Sequence, residues 1–318
     1  MLQEYAEHVE RSCPVIWIDG VPWSAKSRVL EPLALPHRLR PVAVSKVRAG
    51  MKRTGAWVAR WTDAWDTAPC DWWWVICDDS EYDVEKFGKN GRRDVRAGLR
   101  RCEVSRLDPP WFAVHGYAVY AAASARYGTT VDATAAQFAS SVLESAQYSG
   151  RETWGATVDG KLAAYASCIV VEDAVLLSWA KSDPQFHKAM PNNALAYVLT
   201  RHYLCERRLR YVTDGSRAVL HATQYQDFLE KMGYRRTYCP LRLAMHPLLS
   251  TALRMRVGTW MGPLLARLTS SMVEKLRTVD MLARIARSCR TGIGQTPAPA
   301  VPNGQADASG NSDDNAPG

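Results

Sequence analysis

The spacing of apolar residues changes along this chain, and each change predicts a different element. Between residues 109 and 150 the apolar positions recur at helical spacing, which predicts two consecutive helices that begin at Pro109 and end at Gly150. From residue 151 apolar and polar positions alternate over three segments. The turn residues Asp159-Gly160 and Glu172-Asp173 separate these segments, so an antiparallel meander is expected.

The rest of this region adds a helical crossover to the meander. A helix is predicted from Pro191, a buried strand ends near Gly215, a second helix ends at Gly233, and one strand is expected over residues 234–245. Antiparallel neighbours combined with a helical crossover are typical of an α+β sheet packed by helices. We therefore expect an α+β fold with a mixed, mostly antiparallel sheet.

Other regions flank this sheet. Residues 1–88 alternate short apolar runs with Pro, Gly and Asp, which predicts a smaller N-terminal αβ lobe rich in strands, among them VAVSKV at 42–47. Residues 246–293 place Leu and Met on one helical side and Arg on the other. Residues after 294 have too few large apolar side chains to fold. The predicted regions are an N-terminal lobe (1–88), a central domain (89–245), basic amphipathic helices (246–293) and a disordered tail (294–318).

Positive charge favours an anionic partner. The formal net charge is +8 and the pI is about 9.1, which suits a nucleotide-bearing acyl donor, tRNA or an anionic membrane surface. The cations concentrate in two clusters. One comprises Lys89, Arg92, Arg93, Arg96, Arg100, Arg101 and Arg106, and the other Arg254, Arg256, Arg267, Lys275, Arg277, Arg284, Arg287 and Arg290.

The sequence favours a cytoplasmic location. Glu4, Glu7 and Glu10 stand where an export signal needs a basic start, and no apolar run reaches the roughly 18 residues of a membrane-spanning helix. The eight cysteines lack any CxxC pair, and several lie within apolar runs, as reduced core thiols do. The basic helices at 246–293 raise the further hypothesis of peripheral attachment to the inner membrane face.

Sequence segments carry a resemblance to the N-acetyltransferase superfamily known as GNAT. TWGATVDGKLAAYASCIVVEDAVLLSWA (153–180) resembles its central hairpins, and QDFLEKMGYRR (226–236) resembles its Tyr-Glu-Lys-x-Gly-Phe segment. GRRDVRAGLRRCEV (91–104) is similar to the basic element that precedes the acyltransferase lobe in Fem-type aminoacyl transferases and in related proteins of polysaccharide gene clusters. The resemblance covers roughly residues 88–245 and implies a GNAT-type sheet.

This resemblance implies a donor site. The acyl arm of acetyl-CoA or another acyl-CoA is expected along the strand that contains Ser178, Trp179 and Ala180. The usual Gly-rich loop, whose amides hold the donor pyrophosphate, is replaced by QFHKAMPNNALAY (185–197), which contains no glycine. Residues next to the helix start that are expected to help bind the donor are His187, Lys188, Asn192 and Asn193. The alternative for Asn192 is a helix cap.

Candidate catalytic residues follow the same resemblance. Asp214 ends a strand and is a candidate base, although a carboxylate before glycine also forms turns. Many GNAT enzymes have a tyrosine acid where this chain has Leu229, and Tyr225, one turn earlier, is the candidate replacement. Arg217 and His221 are further polar candidates near the same sheet end. No HxH or HExxH pattern occurs, so no metal site is expected.

Three functions remain open from the sequence. The first is acyl transfer from a CoA thioester to an amine or amino sugar, such as a glycan precursor, in cell-envelope or exopolysaccharide metabolism. The second is Fem-like transfer from aminoacyl-tRNA, in which Arg92, Arg93 and Arg96 contact phosphates. The third is a membrane-surface scaffold without catalysis. Fem-type proteins have two complete lobes, and residues 1–88 look short for one, which favours the first function.

Overall fold

The computed structural model of the protein describes residues 1–126, 133–219, 224–254 and 270–291. Strands in these ranges form a first sheet of five strands and a second sheet of seven. The first sheet contains β1 (Val15–Ile18), β2 (Val21–Lys26), β3 (Val29–Pro32), β4 (Val58–Thr62) and β12 (Leu241–Met245), in that spatial order. Strands β1 to β3 form an antiparallel meander, β4 is parallel to β3, and β12 is antiparallel to β4.

The second sheet also combines an antiparallel meander with a parallel strand. Its spatial order is β11 (Arg235–Tyr238), β5 (Trp73–Cys77), β10 (Tyr211–Ser216), β9 (Ala174–Ser182), β8 (Lys161–Val171), β7 (Arg151–Val158) and β6 (Glu103–Arg106). The predicted meander is β7, β8 and β9, and β10 runs parallel to β9. The described residues thus form an α+β fold with two mixed, mostly antiparallel sheets, which confirms the predicted fold class.

Helices cover the sheets on both sides. They are α1 (Leu2–Glu10), α2 (Val44–Thr54), α3 (Lys89–Arg101), α4 (Pro109–Arg126), α5 (Ala135–Ser145), α6 (Pro191–Arg201), α7 (Gln224–Lys231), α8 (Pro247–Arg254) and α9 (Ser270–Thr291). Helix α6 packs its apolar side on one face of the second sheet, and α4 and α5 pack on the opposite face. The two faces of this sheet are therefore covered by different helices.

Helix α2 replaces a predicted strand. Residues 42–47 were expected to be extended, but a helix begins at Val44 and buries Val47 and Met51 against the first sheet. These residues are four apart, which places them on one helix face. The apolar run is too short to distinguish the period of a strand, 2, from that of a helix, about 3.6. Burial of one helix face against the sheet stabilises the helix. Helix α1 was likewise not predicted.

Each sheet takes one strand from the other end of the chain. Strand β5, from the N-terminal residues, pairs with β10 and β11, whereas β12, from the C-terminal residues, pairs with β4. The single strand expected over 234–245 is therefore two strands in two sheets. Pro240 lies at the break, where a residue without an N–H cannot continue the ladder. The predicted regions 1–88 and 89–245 thus exchange a strand.

The C-terminal helix α9 packs on the protein itself. Leu282, Ile285 and Cys289 are buried in a cluster with Leu241 of β12 and Trp72. Its apolar side is consequently covered by the first sheet, while Arg284 and Arg287 are exposed. No helix in the described ranges is long and apolar enough to cross a membrane. The predicted tail at 294–318 lies outside the described residues.

We expect the protein to unfold in one transition, because the exchanged strands β5 and β12 tie each sheet to the other half. Leu241 is 1% exposed, and Leu241→Ala should destabilise the protein by about 2–5 kcal/mol. Calorimetry should show one peak with equal calorimetric and van't Hoff enthalpies, at a lower temperature in the variant. Leu99→Ala, at a side chain that is 39% exposed, is the control and should change Tm little. Two resolved peaks would contradict this coupling.

Candidate functional site

A gap opens between the neighbouring strands β9 and β10. They pair in parallel from Tyr211 opposite Ala174 to Thr213 opposite Leu176, and no pairing follows. Beyond this point each strand carries an irregularity against its other neighbour. Strand β9 has an extra residue at Ser178 relative to β8, and β10 has an extra residue at Asp214 relative to β5. Such bulges bend strands and redirect side chains, so the gap widens towards the ends of β9 and β10.

Asp214 lies half-buried at this gap. Burial raises the pKa of its carboxyl to about 6, although a hydrogen bond from Gln226 lowers it. The Gln226 side-chain amide donates to Asp214 Oδ2 at 3.2 Å and to the Ser216 carbonyl at 3.1 Å. At neutral pH the carboxylate is therefore mostly ionised and close to its pKa, which suits a general base. Gln226 was not among the predicted site residues.

Tyr225 lies on the neighbouring helix α7. Burial raises the pKa of its hydroxyl, and the nearby Asp214 carboxylate raises it further. The phenol is protonated at neutral pH and can donate a proton. Leu229, one turn later, is completely buried in the core between α6 and the second sheet, so the usual position of the tyrosine has become a packing position.

The start of α6 offers few free amides. Pro191 has no N–H, and the backbone N–H groups of Asn193 and Ala194 both donate to the carbonyl of Met190. Asn192 does not cap the helix, because Met190 holds the capping position and the Asn192 side chain donates to Ser182 Oγ at 3.1 Å. The backbone groups that hold a pyrophosphate in a Gly-rich loop are thus already used. These residues do not fit the amide cradle of a bound CoA.

The side chains beside this helix start are also engaged. The Asn193 side chain contacts Met232 Sδ at 3.9 Å. The Arg126 guanidinium lies 2.8 Å from His187 Nε2. Burial lowers the pKa of His187, and the positive charge of Arg126 lowers it further. His187 is consequently neutral at pH 7 and adds no positive charge. Lys188 is exposed, and its carbonyl accepts a hydrogen bond from Arg101 at 2.6 Å.

Helix α3 packs directly on the start of α6. A Cβ at Gly98 would lie 2.7 Å from the Met190 carbonyl oxygen, so only glycine permits this approach. The outer side of α3 is cationic, and its basic side chains are Lys89, Arg92, Arg93, Arg96, Arg100 and Arg101. Arg92 and Arg96 pair with Glu85, and Arg93 pairs with Asp94. The predicted phosphate contacts therefore lie on one surface next to α6.

A pocket of 280 Å³ opens on the opposite face of the second sheet, under α4 and α5. Arg151 lies at its base and donates to Ser178 Oγ at 2.7 Å and Ser167 Oγ at 3.1 Å. Burial lowers the pKa of Arg151, and no carboxylate of the described chain forms an ion pair with it. The buried Tyr165 hydroxyl, also in the lining, has no hydrogen-bond partner among the described residues.

The predicted donor-strand residues divide between the two faces. Ser178 and Trp179 line the pocket with Arg151, and Trp179 is 56% exposed, whereas Ala180 packs against the core on the α6 side. The bulge at Ser178 causes this division, because it shifts the alternation of side chains by one residue. The sequence did not identify the pocket residues Arg151 and Tyr165, because no local pattern shows that their side chains face a pocket.

Arg217 lies outside the gap. Its guanidinium stacks 4.5 Å above the Trp73 ring and donates to the Asp71 carbonyl at 2.7 Å, which ties the end of β10 to β5. The candidate His221 lies outside the described residues. Within the described ranges, no group of three or more His, Cys, Asp or Glu side chains could hold a metal ion.

Comparison with known proteins identifies the fold. No protein-family model and no curated protein sequence matches the chain. FemX superposes with a TM-score of 0.55 at 11% identity, over 78% of this chain and 92% of FemX. The C-terminal DUF2156 domain of a proposed lysylphosphatidylglycerol synthetase from Agrobacterium fabrum superposes with a TM-score of 0.51 at 14% identity, over 81% of this chain and 95% of that domain.

A tandem GNAT protein from the clavulanic acid biosynthesis pathway also matches, with a TM-score of 0.42 at 12% identity, over 77% of this chain and 94% of that protein. Identities this low show the fold alone. The chain therefore shares the overall fold of FemX and of the synthetase domain.

Proposed function

We propose that this protein is an acyltransferase that joins an acyl group to an amine in the gap between β9 and β10. The observation that carries this proposal is Asp214, a half-buried carboxyl with a pKa of about 6 at the point where the two strands part. A base of this kind is ionised at neutral pH and can accept the proton of an attacking amine.

The acyl group is expected to enter from the α6 side and the amine from the α4 side. The amine nitrogen attacks the acyl carbonyl carbon, a C–N bond forms, and Asp214 accepts a proton from the nitrogen. The bond between the acyl carbon and its carrier then breaks, and the Tyr225 hydroxyl donates a proton to the leaving atom. Beyond Leu176 strand β9 has no partner on the β10 side, so backbone amides that point into the gap can stabilise the oxyanion.

The pocket under α4 and α5 is proposed to hold the acceptor. Arg151 is a half-buried cation with two serine hydroxyls as its hydrogen-bond partners, so it can bind a carboxylate or phosphate of an incoming molecule. Lys26 lies at the edge of the same pocket and adds positive charge. We therefore propose an amine acceptor that also bears an anionic group.

The surroundings of α6 favour a donor held by side chains instead of backbone amides. The amides at the helix start are engaged, and α3 places several cations beside them. The first sheet, with four N-terminal strands and β12, supports a Fem-like arrangement of two lobes. We propose an aminoacyl ester on tRNA as the donor. Acyl-CoA is the second candidate, which the exposed Lys188 at the positive end of α6 favours.

Asp214→Asn should abolish most activity and stabilise the fold. Loss of a general base lowers kcat by about 10²–10⁴-fold. The carboxyl is harder to ionise in the folded protein, so removing its charge should raise the free energy of unfolding by on the order of 1–3 kcal/mol at pH 7. The added stability of the variant should decrease as pH falls from 6 to 4, because the Asp214 carboxyl of the folded wild type is then protonated and uncharged as well.

The measurements are kcat against pH and thermal unfolding at pH 4 and pH 7. In the wild type kcat should rise as pH increases through about 6. Asp227→Asn, at an exposed position on α7, is the matched control and should change neither quantity. A variant at Asp214 that keeps full activity would exclude this carboxylate as the base.

The donor can be identified by binding. We expect aminoacyl-tRNA to bind more tightly than acetyl-CoA. The double variant Arg93→Ala with Arg100→Ala should weaken tRNA binding. The slope of the logarithm of the binding constant against the logarithm of the salt concentration should also fall in magnitude by about one unit for each lost phosphate contact. Lys52→Ala on α2 is the control cation. If acetyl-CoA raises Tm while tRNA does not bind, the donor is acyl-CoA and the tRNA proposal is wrong.

Arg151 should set the acceptor preference. We compare an amine acceptor that carries a carboxylate with the same acceptor in which a neutral carboxamide replaces that carboxylate. The kcat/KM should be about 10-fold or more higher for the carboxylate form, because charge-assisted hydrogen bonds contribute about 1.5–3 kcal/mol. Arg151→Gln should remove this preference, and Arg151→Lys should restore part of it. Equal use of the two acceptors by the wild type would rule out an anionic acceptor.

A further inference from the structure

Two thiols meet where the C-terminal helix α9 crosses the segment that leads into β5. The eight cysteines of the chain are free. Cys289 lies in the last turn of α9 and is 1% exposed, and Cys70 lies just before β5 and is half-buried. Their side chains share a hydrogen bond. The two sulfur atoms are therefore neighbours in space although the residues are far apart in the sequence.

The surroundings of the two thiols hold the same two segments together. Ser288 Oγ, next to one cysteine, donates to Asp71 Oδ2, next to the other, at 2.6 Å. Cys289 packs with Trp72 in the apolar cluster beneath α9. The Cys70 thiol also donates to the Trp72 carbonyl at 3.2 Å. A hydrogen bond on one side and apolar packing on the other thus keep the thiols close.

The environment of Cys289 stabilises a thiolate. The hydrogen bond from Cys70 lowers the pKa of the Cys289 thiol, and the backbone N–H groups of Leu241 and Asp71 lower it further, although burial raises it. The same contact and burial raise the pKa of Cys70. Two thiols that share a proton in this way titrate as a pair, and the first proton leaves more easily than from an isolated thiol. A thiolate is the nucleophile of thiol–disulfide exchange.

Access to the pair is from Cys70, the more exposed of the two thiols. Cys289 is close to the end of α9 at Thr291, and the last turn of a helix frays more easily than its middle. A low-molecular-weight disulfide can reach such a pair. In reducing compartments, disulfides formed by such pairs are transient and sense the redox state.

We propose that Cys70 and Cys289 form a reversible disulfide that fastens α9 to the segment before β5, with a low-molecular-weight disulfide such as oxidised glutathione as the oxidant. The Cys70 thiolate attacks one sulfur of the oxidant, an S–S bond to the protein forms, and one glutathione thiolate leaves. The Cys289 thiolate then attacks the Cys70 sulfur, and the second glutathione thiolate leaves. The two departing thiolates take up the two protons that the pair loses. The protein gives two electrons to the oxidant.

This disulfide acts on a segment that also supports the gap between β9 and β10. The Asp71 carbonyl, next to Cys70, accepts a hydrogen bond from Arg217 at the end of β10 at 2.7 Å. The cross-link encloses most of the chain, so it restricts the unfolded state strongly. Oxidation should therefore stabilise the protein and hold α9 on the first sheet. The thiol pair is separate from Asp214 and does not depend on the proposed acyl transfer.

Oxidation of the full chain by oxidised glutathione tests this proposal. We expect two of the eight thiols to be lost, and peptide mapping should find Cys70 linked to Cys289. Tm should rise by about 5 °C or more above that of the reduced protein, and dithiothreitol should reverse both changes. Cys70→Ser and Cys289→Ser should each abolish the internal disulfide and the rise in Tm. Cys13→Ser, at another half-buried thiol, is the matched control and should behave as the wild type does.

The oxidised and reduced forms are compared within each variant, so a substitution that destabilises the fold does not affect the result. Retention of all eight thiols by the wild type would overturn the proposal. Glutathione that stays attached to Cys70 without a bond to Cys289 would also overturn it. A disulfide that forms but leaves Tm unchanged would exclude the fastening of α9. Asp214→Asn should form the same disulfide, so failure of the acyltransferase proposal leaves this test unaffected.

Discussion

The end of the parallel pairing between β9 and β10 determines the rest of the site. Beyond Thr213 the two strands share no hydrogen bonds, and each is held by its other neighbour, β8 for β9 and β5 for β10. Strand β5 comes from the N-terminal half of the chain, so the exchanged strand holds one wall of the gap. The N-terminal half of the chain is therefore part of the framework of the site, even though the candidate catalytic residues come from the C-terminal half.

Bulges at both walls give the gap its chemistry. The extra residue in β10 places Asp214 beside Tyr225, in surroundings where burial raises the pKa of the carboxyl towards neutrality. The extra residue in β9 turns Ser178 towards Arg151 on the opposite face of the sheet. The proposed transfer of an acyl group to an anionic amine would use Asp214 as the base on one side and Arg151 as the cation on the other.

The two sheets repeat one plan with different contents. In each, a meander is followed by a helix, a parallel strand and a fifth strand from the other half of the chain. The gap in the second sheet contains Asp214. No internal repeat is evident from the sequence motifs.

The sequence by itself determined the local elements of the second sheet: the meander with its Asp159-Gly160 turn, the helix that ends at Gly233, and Asp214 as a candidate base. Periodicity and turn residues act over short distances, so they can be read without a fold. Only the tertiary structure decided that α2 is a helix, that β5 and β12 change sheets, and that Arg151 faces a pocket. Strand partners and burial depend on residues far apart in the chain, and a local pattern contains no information about them.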